Sequence, residues 1–282
     1  MDLLQLAEQE RNSREYAEGY FNEEAEMRGI FKSDTRILDS LIARKGRILD
    51  AAMGPGRHVR HFVEKGFEVL RFDFRAHGQS TGEFMDFTVD GELQDLDAAH
   101  SFVKSLHSKV DDRGRVQQSD WKIGLLGASF GGGIAAMHAA GNVDIQALCL
   151  WNPALAYSDY YSGNPRTAKN KARFSKEKLE FLEAHGYLDV NQKKFRVGRQ
   201  WIASLKAHNP MESLHRITQP TLVVHGEADA SVPVQDSIEA NKQLAKGTLE
   251  ILENAEHGFH EPEAERLAVL LTVKFFDEKL KP

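Results

Sequence analysis

Short apolar runs alternate with longer amphipathic stretches through most of the chain after residue 44. Each apolar run has the length of a buried β-strand, and most are followed by apolar residues at helical spacing. Because strands that alternate with helices form parallel sheets covered on both faces, the pattern predicts an α/β fold: a three-layer sandwich around a mostly parallel sheet. The predicted strands lie at 47–52, 67–74, 122–129, 145–153, 220–229 and 248–255.

Two stretches depart from this alternation. Residues 3–44 combine helical periodicity with many charges, which predicts two surface helices. Residues 157–214 separate two predicted strands and are helical, charged and rich in aromatic residues, so their length predicts a helical cap insertion. The aromatic side chains of this stretch could line an acyl or aryl pocket, or pack the helices on the body: Tyr157, Tyr160, Tyr161, Phe174, Phe181, Phe195 and Trp201.

The length, hydrophobic content and net charge of the chain are typical of a globular α/β protein. The chain has 282 residues, of which 41% are hydrophobic, and this predicts a single α/β domain over 1–282 with a core formed by 73–156 and 215–282. A net charge of -6 argues against a nucleic-acid partner. The sequence has neither the pattern of a signal peptide nor a stretch long enough to span a membrane, so we expect a cytoplasmic protein. The oligomeric state is left open.

A glycine-rich turn carries the strongest chemical signal. The stretch "GASFGG" places Gly127, Ser129 and Gly131 directly after an apolar strand and directly before a helix of small residues. A serine in such a sharp strand-to-helix turn is exposed above the sheet, and glycines are needed beside it because larger side chains would clash. The following helix points its free N–H groups at the same place, which favours a developing oxyanion. Ser129 is therefore a candidate nucleophile.

A serine nucleophile needs a base and a group that orients the base. Asp229 follows an apolar strand 229 − 129 = 100 residues after the serine, and His257 follows the next strand 257 − 229 = 28 residues later. Singly, each could be a turn residue or a solvated loop residue. The order serine, acid, histidine favours a catalytic triad, with Glu227 and His260 as the nearest substitutes.

From about residue 72 onward the sequence resembles the α/β-hydrolase superfamily, in particular the feruloyl or cinnamoyl esterase-like hydrolases. The matching stretches are "RFDFRAHGQSTGEF", "GASFGG", "PTLVVHGEADASVP" and "AEHGF". The resemblance implies a small-molecule ester substrate and an acyl-enzyme on Ser129. It also implies that His257 acts as base and then as acid, that Asp229 fixes its tautomer, and that the backbone N–H of Phe130 is one oxyanion donor.

Residues 1–72 resemble a different family, the N-terminal part of S-adenosylmethionine-dependent methyltransferases, and this suggests a chimera of the two. The stretch "GRILDAAMGPGRHVRHFVEKGFEVLRFD" carries this resemblance. It implies a site for S-adenosylmethionine at Asp50, Gly54, Gly56 and Asp73, with Asp73 on the ribose. Ala52 stands where that family has its first glycine, and its methyl group would obstruct the cofactor.

The Gly-Pro-Gly turn has a second interpretation. The usual His-Gly oxyanion turn of the hydrolases is absent, and Pro55 has no N–H, so the second oxyanion donor would be the N–H of Met53 or Gly54. Gly54 aligns better with the donor position of the hydrolases, but its flexible neighbours do not fix the direction of the N–H, which predicts slow turnover. We therefore expect a slow carboxylic ester hydrolase without cofactor or metal. Two alternatives are a methyltransferase-like protein that binds S-adenosylmethionine and a catalytically silent scaffold.

Overall fold

The computed structural model describes residues 47–51, 58–78, 80–105, 109–110, 116–117, 122–190 and 195–280. The two predicted N-terminal helices and the Gly-Pro-Gly turn lie outside the described residues.

The described residues form strands and helices in regular alternation. The strands are β1 (Arg47–Ala51), β2 (Glu68–Phe72), β3 (Lys109–Val110), β4 (Val116–Gln117), β5 (Ile123–Ala128), β6 (Ile145–Trp151), β7 (Tyr187–Val190), β8 (Phe195–Gly198), β9 (Thr221–Gly226) and β10 (Gly247–Leu252). The helices are α1 (Val59–Glu64), α2 (Val89–Ser105), α3 (Ser129–Gly141), α4 (Ser158–Tyr161), α5 (Ala168–Phe174), α6 (Lys176–His185), α7 (Arg199–Ala207), α8 (Pro210–Ser213), α9 (Val234–Gln243) and α10 (Pro262–Lys279). Short 3-10 helices lie at Phe84–Asp86 and Leu214–Arg216.

Six strands form one sheet in the order β10-β9-β6-β5-β1-β2. Every neighbouring pair in this sheet is parallel. These strands correspond to the six apolar runs of the sequence, so the prediction of a mostly parallel α/β sheet is confirmed. Since all the strands run in the same direction, their carboxyl ends meet at one edge.

Side chains from the central strands pack alternately on the two faces of the sheet. In β5, Leu125 packs with helices α2 and α3, while Leu126 packs on the opposite face with α1 and α10. In β1, Leu49 packs on the same face as Leu125, and Ile48 packs on the same face as Leu126. All four side chains are completely buried. This pattern explains the continuous apolar runs, because a strand covered on both faces has no polar face.

The segment between β6 and β9 is partly different from the prediction of a helical cap. It contains helices α4 to α8, as expected, but also an antiparallel hairpin of β7 and β8. The hairpin strands have four residues each and contain charged side chains such as Asp189 and Arg196, so their periodicity is too short to read from the sequence. In the described part of the chain, no helix is long and apolar enough to cross a membrane.

Candidate active site

The turn between β5 and α3 holds Ser129 in a strained backbone conformation. Its φ is 51°, in the left-handed region that non-glycine residues rarely adopt. A Cβ at Gly127 would lie 2.6 Å from the Cβ of Ala135 and 2.7 Å from the carbonyl oxygen of Gly131. The close packing of strand and helix thus requires glycine beside the serine, as the sequence pattern predicted. Ser129 is also the first residue of α3.

The structure brings the three predicted triad side chains together in one hydrogen-bonded chain. His257 Nε2 lies 2.9 Å from Ser129 Oγ, and its Nδ1 lies 2.6 Å from Asp229 Oδ2. Asp229 follows β9 and His257 follows β10, so both residues stand at the same sheet edge as the serine. With Nδ1 donating to the carboxylate, Nε2 is left to accept the serine proton.

Asp229 is held by its own turn. Its Oδ1 accepts the backbone N–H groups of Ser231 at 2.7 Å and Val232 at 2.8 Å. Burial alone would raise the pKa of Asp229, but hydrogen bonds from His225, His257 and the turn backbone together hold its pKa below the ordinary value. The carboxylate is therefore ionised and directs its second oxygen to His257.

His225 is a part of the site that the sequence interpretation missed. It is fully buried in β9, and its Nε2 lies 3.1 Å from the Val232 carbonyl oxygen and 3.4 Å from Asp229 Oδ2. The Ser237 hydroxyl lies 2.6 Å from Nδ1. The shorter contact makes the Val232 carbonyl the main acceptor of the Nε2 proton. The only sequence signal is a histidine four residues before the acid, which does not distinguish a site residue from a core residue.

The hydrogen-bonded chain from Ser129 to Asp229 uses neither of the two substitutes considered for the triad. Glu227 Oε2 accepts the backbone N–H of Asn254 at 3.3 Å. His260 Nε2 lies beside Gly258, where a Cβ would come within 3.1 Å of it. It is His257 whose Nε2 accepts from the Ser129 hydroxyl and whose Nδ1–H donates to Asp229.

The oxyanion side of the site is described in part. Phe130 is the second residue of α3, so its backbone N–H belongs to the first helical turn, where N–H groups have no acceptor within the helix. Its role as an oxyanion donor beside Ser129 stays a prediction. Gly54, the predicted second donor, lies outside the described residues.

An aromatic cluster adjoins the nucleophile. The Phe130 ring stacks on Tyr157 with centroids 5.1 Å apart, and Tyr160 and Trp201 lie 6.2 and 6.1 Å from it. Trp201 also contacts Phe174 at 5.8 Å. Four of the cap aromatics named from the sequence thus pack together around Phe130, the residue that follows Ser129. Two others pack elsewhere, since Phe181 stacks on His185 and Phe195 contacts Phe84.

The residues of the alternative cofactor site are only partly described. Asp50 is fully buried in β1, opposite Leu126 of β5 and Arg71 of β2. Asp73 accepts a hydrogen bond from Arg71 Nη2 at 3.3 Å, and its carboxylate fills the space that a Cβ on Gly78 would take. Gly54 and Gly56 lie outside the described residues. Among the residues that are described, no three His, Cys, Asp or Glu side chains form a group that could hold a metal ion.

Comparison with known proteins extends the geometric result. A model described as the alpha/beta hydrolase family matches residues 52–270. This match includes residues 52–72, which belong to the segment with the methyltransferase resemblance. The methyltransferase interpretation gains no support from the comparisons.

Similar proteins include characterised enzymes. The human serine hydrolase BPHL is 27% identical over 212 residues, which cover 73% of this chain and 68% of that protein. The non-heme chloroperoxidase of Burkholderia pyrrocinia is 30% identical over 231 residues, covering 70% of this chain and 77% of that protein. Among solved structures, Est1E from Butyrivibrio proteoclasticus with bound ferulic acid has a TM-score of 0.68 at 22% identity, over 86% of this chain and 91% of that one. The monoacylglycerol lipase of Paleococcus ferrophilus has a TM-score of 0.65 at 17% identity, over 84% and 96%.

Proposed function

Because the chain belongs to the alpha/beta hydrolase family, we propose that it is a serine hydrolase acting on carboxylic esters of small molecules through an acyl-enzyme on Ser129. The observation that carries the proposal is the unbroken hydrogen-bonded chain from Ser129 through His257 to Asp229. Nucleophile, base and orienting acid are the groups that acyl transfer requires.

The proposed reaction follows from these contacts. His257 Nε2 takes the proton of the Ser129 hydroxyl while the serine oxygen attacks the ester carbonyl carbon. Asp229 stabilises the resulting imidazolium, which then gives its proton to the leaving alcohol. A water molecule repeats the sequence on the acyl-enzyme: His257 removes its proton, and the acid is released as the proton returns to Ser129. This chemistry requires no cofactor.

The rate depends on the oxyanion donors. The Phe130 N–H is the proposed first donor, and Gly54 remains the proposed second. Loss of one donor costs on the order of a hundred- to thousandfold in turnover, and the sequence around Gly54 lacks the usual His-Gly pattern. We therefore propose slow turnover, with activated esters preferred because a good leaving group needs less oxyanion stabilisation.

The aromatic cluster supports an apolar acyl or aryl group as part of the substrate. Phe130 follows Ser129 in the chain, and its ring packs with Tyr157 and Trp201, so apolar ring surface gathers around the residue next to the nucleophile. Est1E, which shares the fold, is described with ferulic acid, an aromatic acid. A small ester with an apolar acyl group fits this combination.

Labelling and hydrolysis test the proposal. We expect a fluorophosphonate probe to form an adduct at Ser129, and p-nitrophenyl acetate to be hydrolysed much faster than ethyl acetate. Ser129→Ala removes the nucleophile, so both labelling and hydrolysis should be lost. Ser101→Ala is the matched control, since Ser101 is exposed on α2 and the variant should retain both. Unchanged turnover in Ser129→Ala, or an adduct on another residue, would contradict the assignment.

A further inference from the structure

The turn that carries Asp229 is contacted from the cap as well as from the sheet. Asn170, on α5, is only 3% exposed, and its Nδ2 donates to the carbonyl oxygen of Ser231 at 3.0 Å. Its own backbone N–H donates to Thr167 Oγ1 at 3.1 Å, which fixes Asn170 at the start of the helix. A buried amide therefore joins the cap to the turn of the acid.

Ser231 connects this contact to the carboxylate of Asp229. The N–H of Ser231 donates to Asp229 Oδ1 at 2.7 Å, while its carbonyl oxygen accepts from Asn170. With Oδ1 held in the turn, Oδ2 faces His257 Nδ1 at 2.6 Å. A displacement of Asn170 would thus move the group that orients the carboxylate toward the base.

A second cap residue holds the helix that follows the turn. The Arg166 guanidinium binds Asp159 at 2.9 and 3.1 Å and Asp236 at 2.5 and 2.7 Å. Asp159 lies in α4, and Asp236 lies in the first turn of α9, just after the turn of Asp229. Both carboxylates are buried, so the single guanidinium between them is their charge partner. Removing it would leave two buried negative charges together, which is strongly destabilising.

We propose that Asn170 is a positioning residue for the catalytic acid: through Ser231 it holds Asp229 in the orientation that serves His257, while Arg166 anchors the same region to the cap. This inference rests on the proposed function. It assigns the cap a role in the chemical step, in addition to any contact with substrate.

Substitution of Asn170 separates positioning from substrate binding. Asn170→Asp is nearly isosteric but replaces the N–H donor with an oxygen that repels the Ser231 carbonyl, and Asn170→Ala leaves that carbonyl unpaired. We expect kcat for p-nitrophenyl acetate to fall on the order of tenfold with KM unchanged, because a small misplacement of a catalytic group slows the chemical step.

The controls distinguish this inference from the function on which it rests. Lys171→Ala changes the neighbouring, exposed residue of α5 and should behave as wild type. If wild type fails to label at Ser129, the proposed function is wrong and the inference falls with it. If wild type labels but both Asn170 variants keep its kcat, or only KM rises, the inference alone is overturned, even where the melting temperature drops. Should neither Asn170 variant fold, Asn170→Ser and Arg166→Lys carry the same test, with the same kinetic readouts.

Discussion

Glu92 is a buried acid that the proposed mechanism does not use. It is 2% exposed in α2, and within the described part of the chain its Oε2 has no hydrogen-bond partner. Burial raises the pKa of Glu92 well above its ordinary value; Asp95 adds to the rise and Arg75 opposes it. The folded chain thus keeps the proton at pH values where the unfolded chain loses it. Below about pH 4.5 the Glu92 carboxyl is protonated in both the folded and the unfolded chain, so it does not lower the free energy of unfolding. As the pH rises above that value, the unfolded chain loses the proton first and the free energy of unfolding falls.

Glu92→Gln should therefore stabilise the protein at neutral and alkaline pH. Glutamine has nearly the same shape and never ionises, so the variant should melt higher than wild type at pH 8, by roughly 2–4 °C for each kcal/mol of penalty removed. The difference should vanish near pH 4. Glu83→Gln, at an exposed position, is the control and should leave the melting temperature unchanged at both pH values. A Glu92→Gln effect that is negative, or independent of pH, would show that Glu92 is ionised in the fold.

Residues defined by local patterns were predictable, and residues defined by distant contacts were not. Ser129, Asp229 and His257 each follow an apolar strand in a short motif, so sequence placed them at one sheet edge, and the structure brings them into contact. Their catalytic role stays a prediction. His225 and Asn170 act through contacts with the turn of Asp229, and nothing in their neighbouring sequence encodes those contacts.

At the scale of elements, helix α3 must fit closely against the segment that leads into the cap. A Cβ at Gly133 would lie 2.6 Å from the carbonyl oxygen of Ala154 and 2.7 Å from the Tyr157 hydroxyl. The same segment is hydrogen-bonded to the turn that carries Ser129, since the Ala154 N–H donates to the Ser129 carbonyl at 2.8 Å. The small residues of α3 thus allow the helix to pack against the segment that leads into the cap, in addition to allowing the sharp turn at Ser129.

Gly133→Ala should destabilise the protein and slow probe labelling of Ser129. The added methyl group has to displace backbone, and overpacking of this kind costs about 1–3 kcal/mol. Gly141→Ala is the matched control in the same helix, because its Cβ would meet nothing within 4 Å. Since alanine is the better helix former, that variant should gain up to about 1 kcal/mol. Urea denaturation compares the two, and equal effects would refute the packing argument.

Elements were predictable where burial imposed a simple pattern. The six main strands are apolar because helices cover both faces of the sheet, so each stood out as a short apolar run. The hairpin of β7 and β8 was missed, because it lies in the cap and is stabilised by contacts such as Arg196 over the Tyr187 ring at 4.0 Å. A contact of this kind does not produce an alternation of apolar and polar residues that could be recognised in a strand of four residues.

At the scale of the whole molecule, the topology of the parallel sheet favours a ligand site at the carboxyl ends of its central strands. The chain runs from β1 to β2 on one side and then from β2 to β5 on the other side of β1, so the switch point of the topology lies between β1 and β5. Ala51, the last residue of β1, pairs with Gly127, two residues before the nucleophile. A cofactor at the end of β1 and an ester at Ser129 would therefore occupy neighbouring space.

S-adenosylmethionine should consequently leave the melting temperature unchanged. The turn that carries Ser129 lies at the same sheet edge as the end of β1, and Asp73 is packed against Gly78. The sequence also has Ala52 where the methyltransferases have a glycine. A ligand that binds the native state at a hundred times its Kd stabilises it by about 2.7 kcal/mol, which a thermal scan at millimolar concentration detects readily. The control is a thermal scan with the same concentration of a salt of the S-adenosylmethionine counter-ion and no S-adenosylmethionine. A saturable rise that disappears in Asp73→Asn would restore the methyltransferase interpretation, because it would place the ligand on the acidic residue that the resemblance assigns to the ribose.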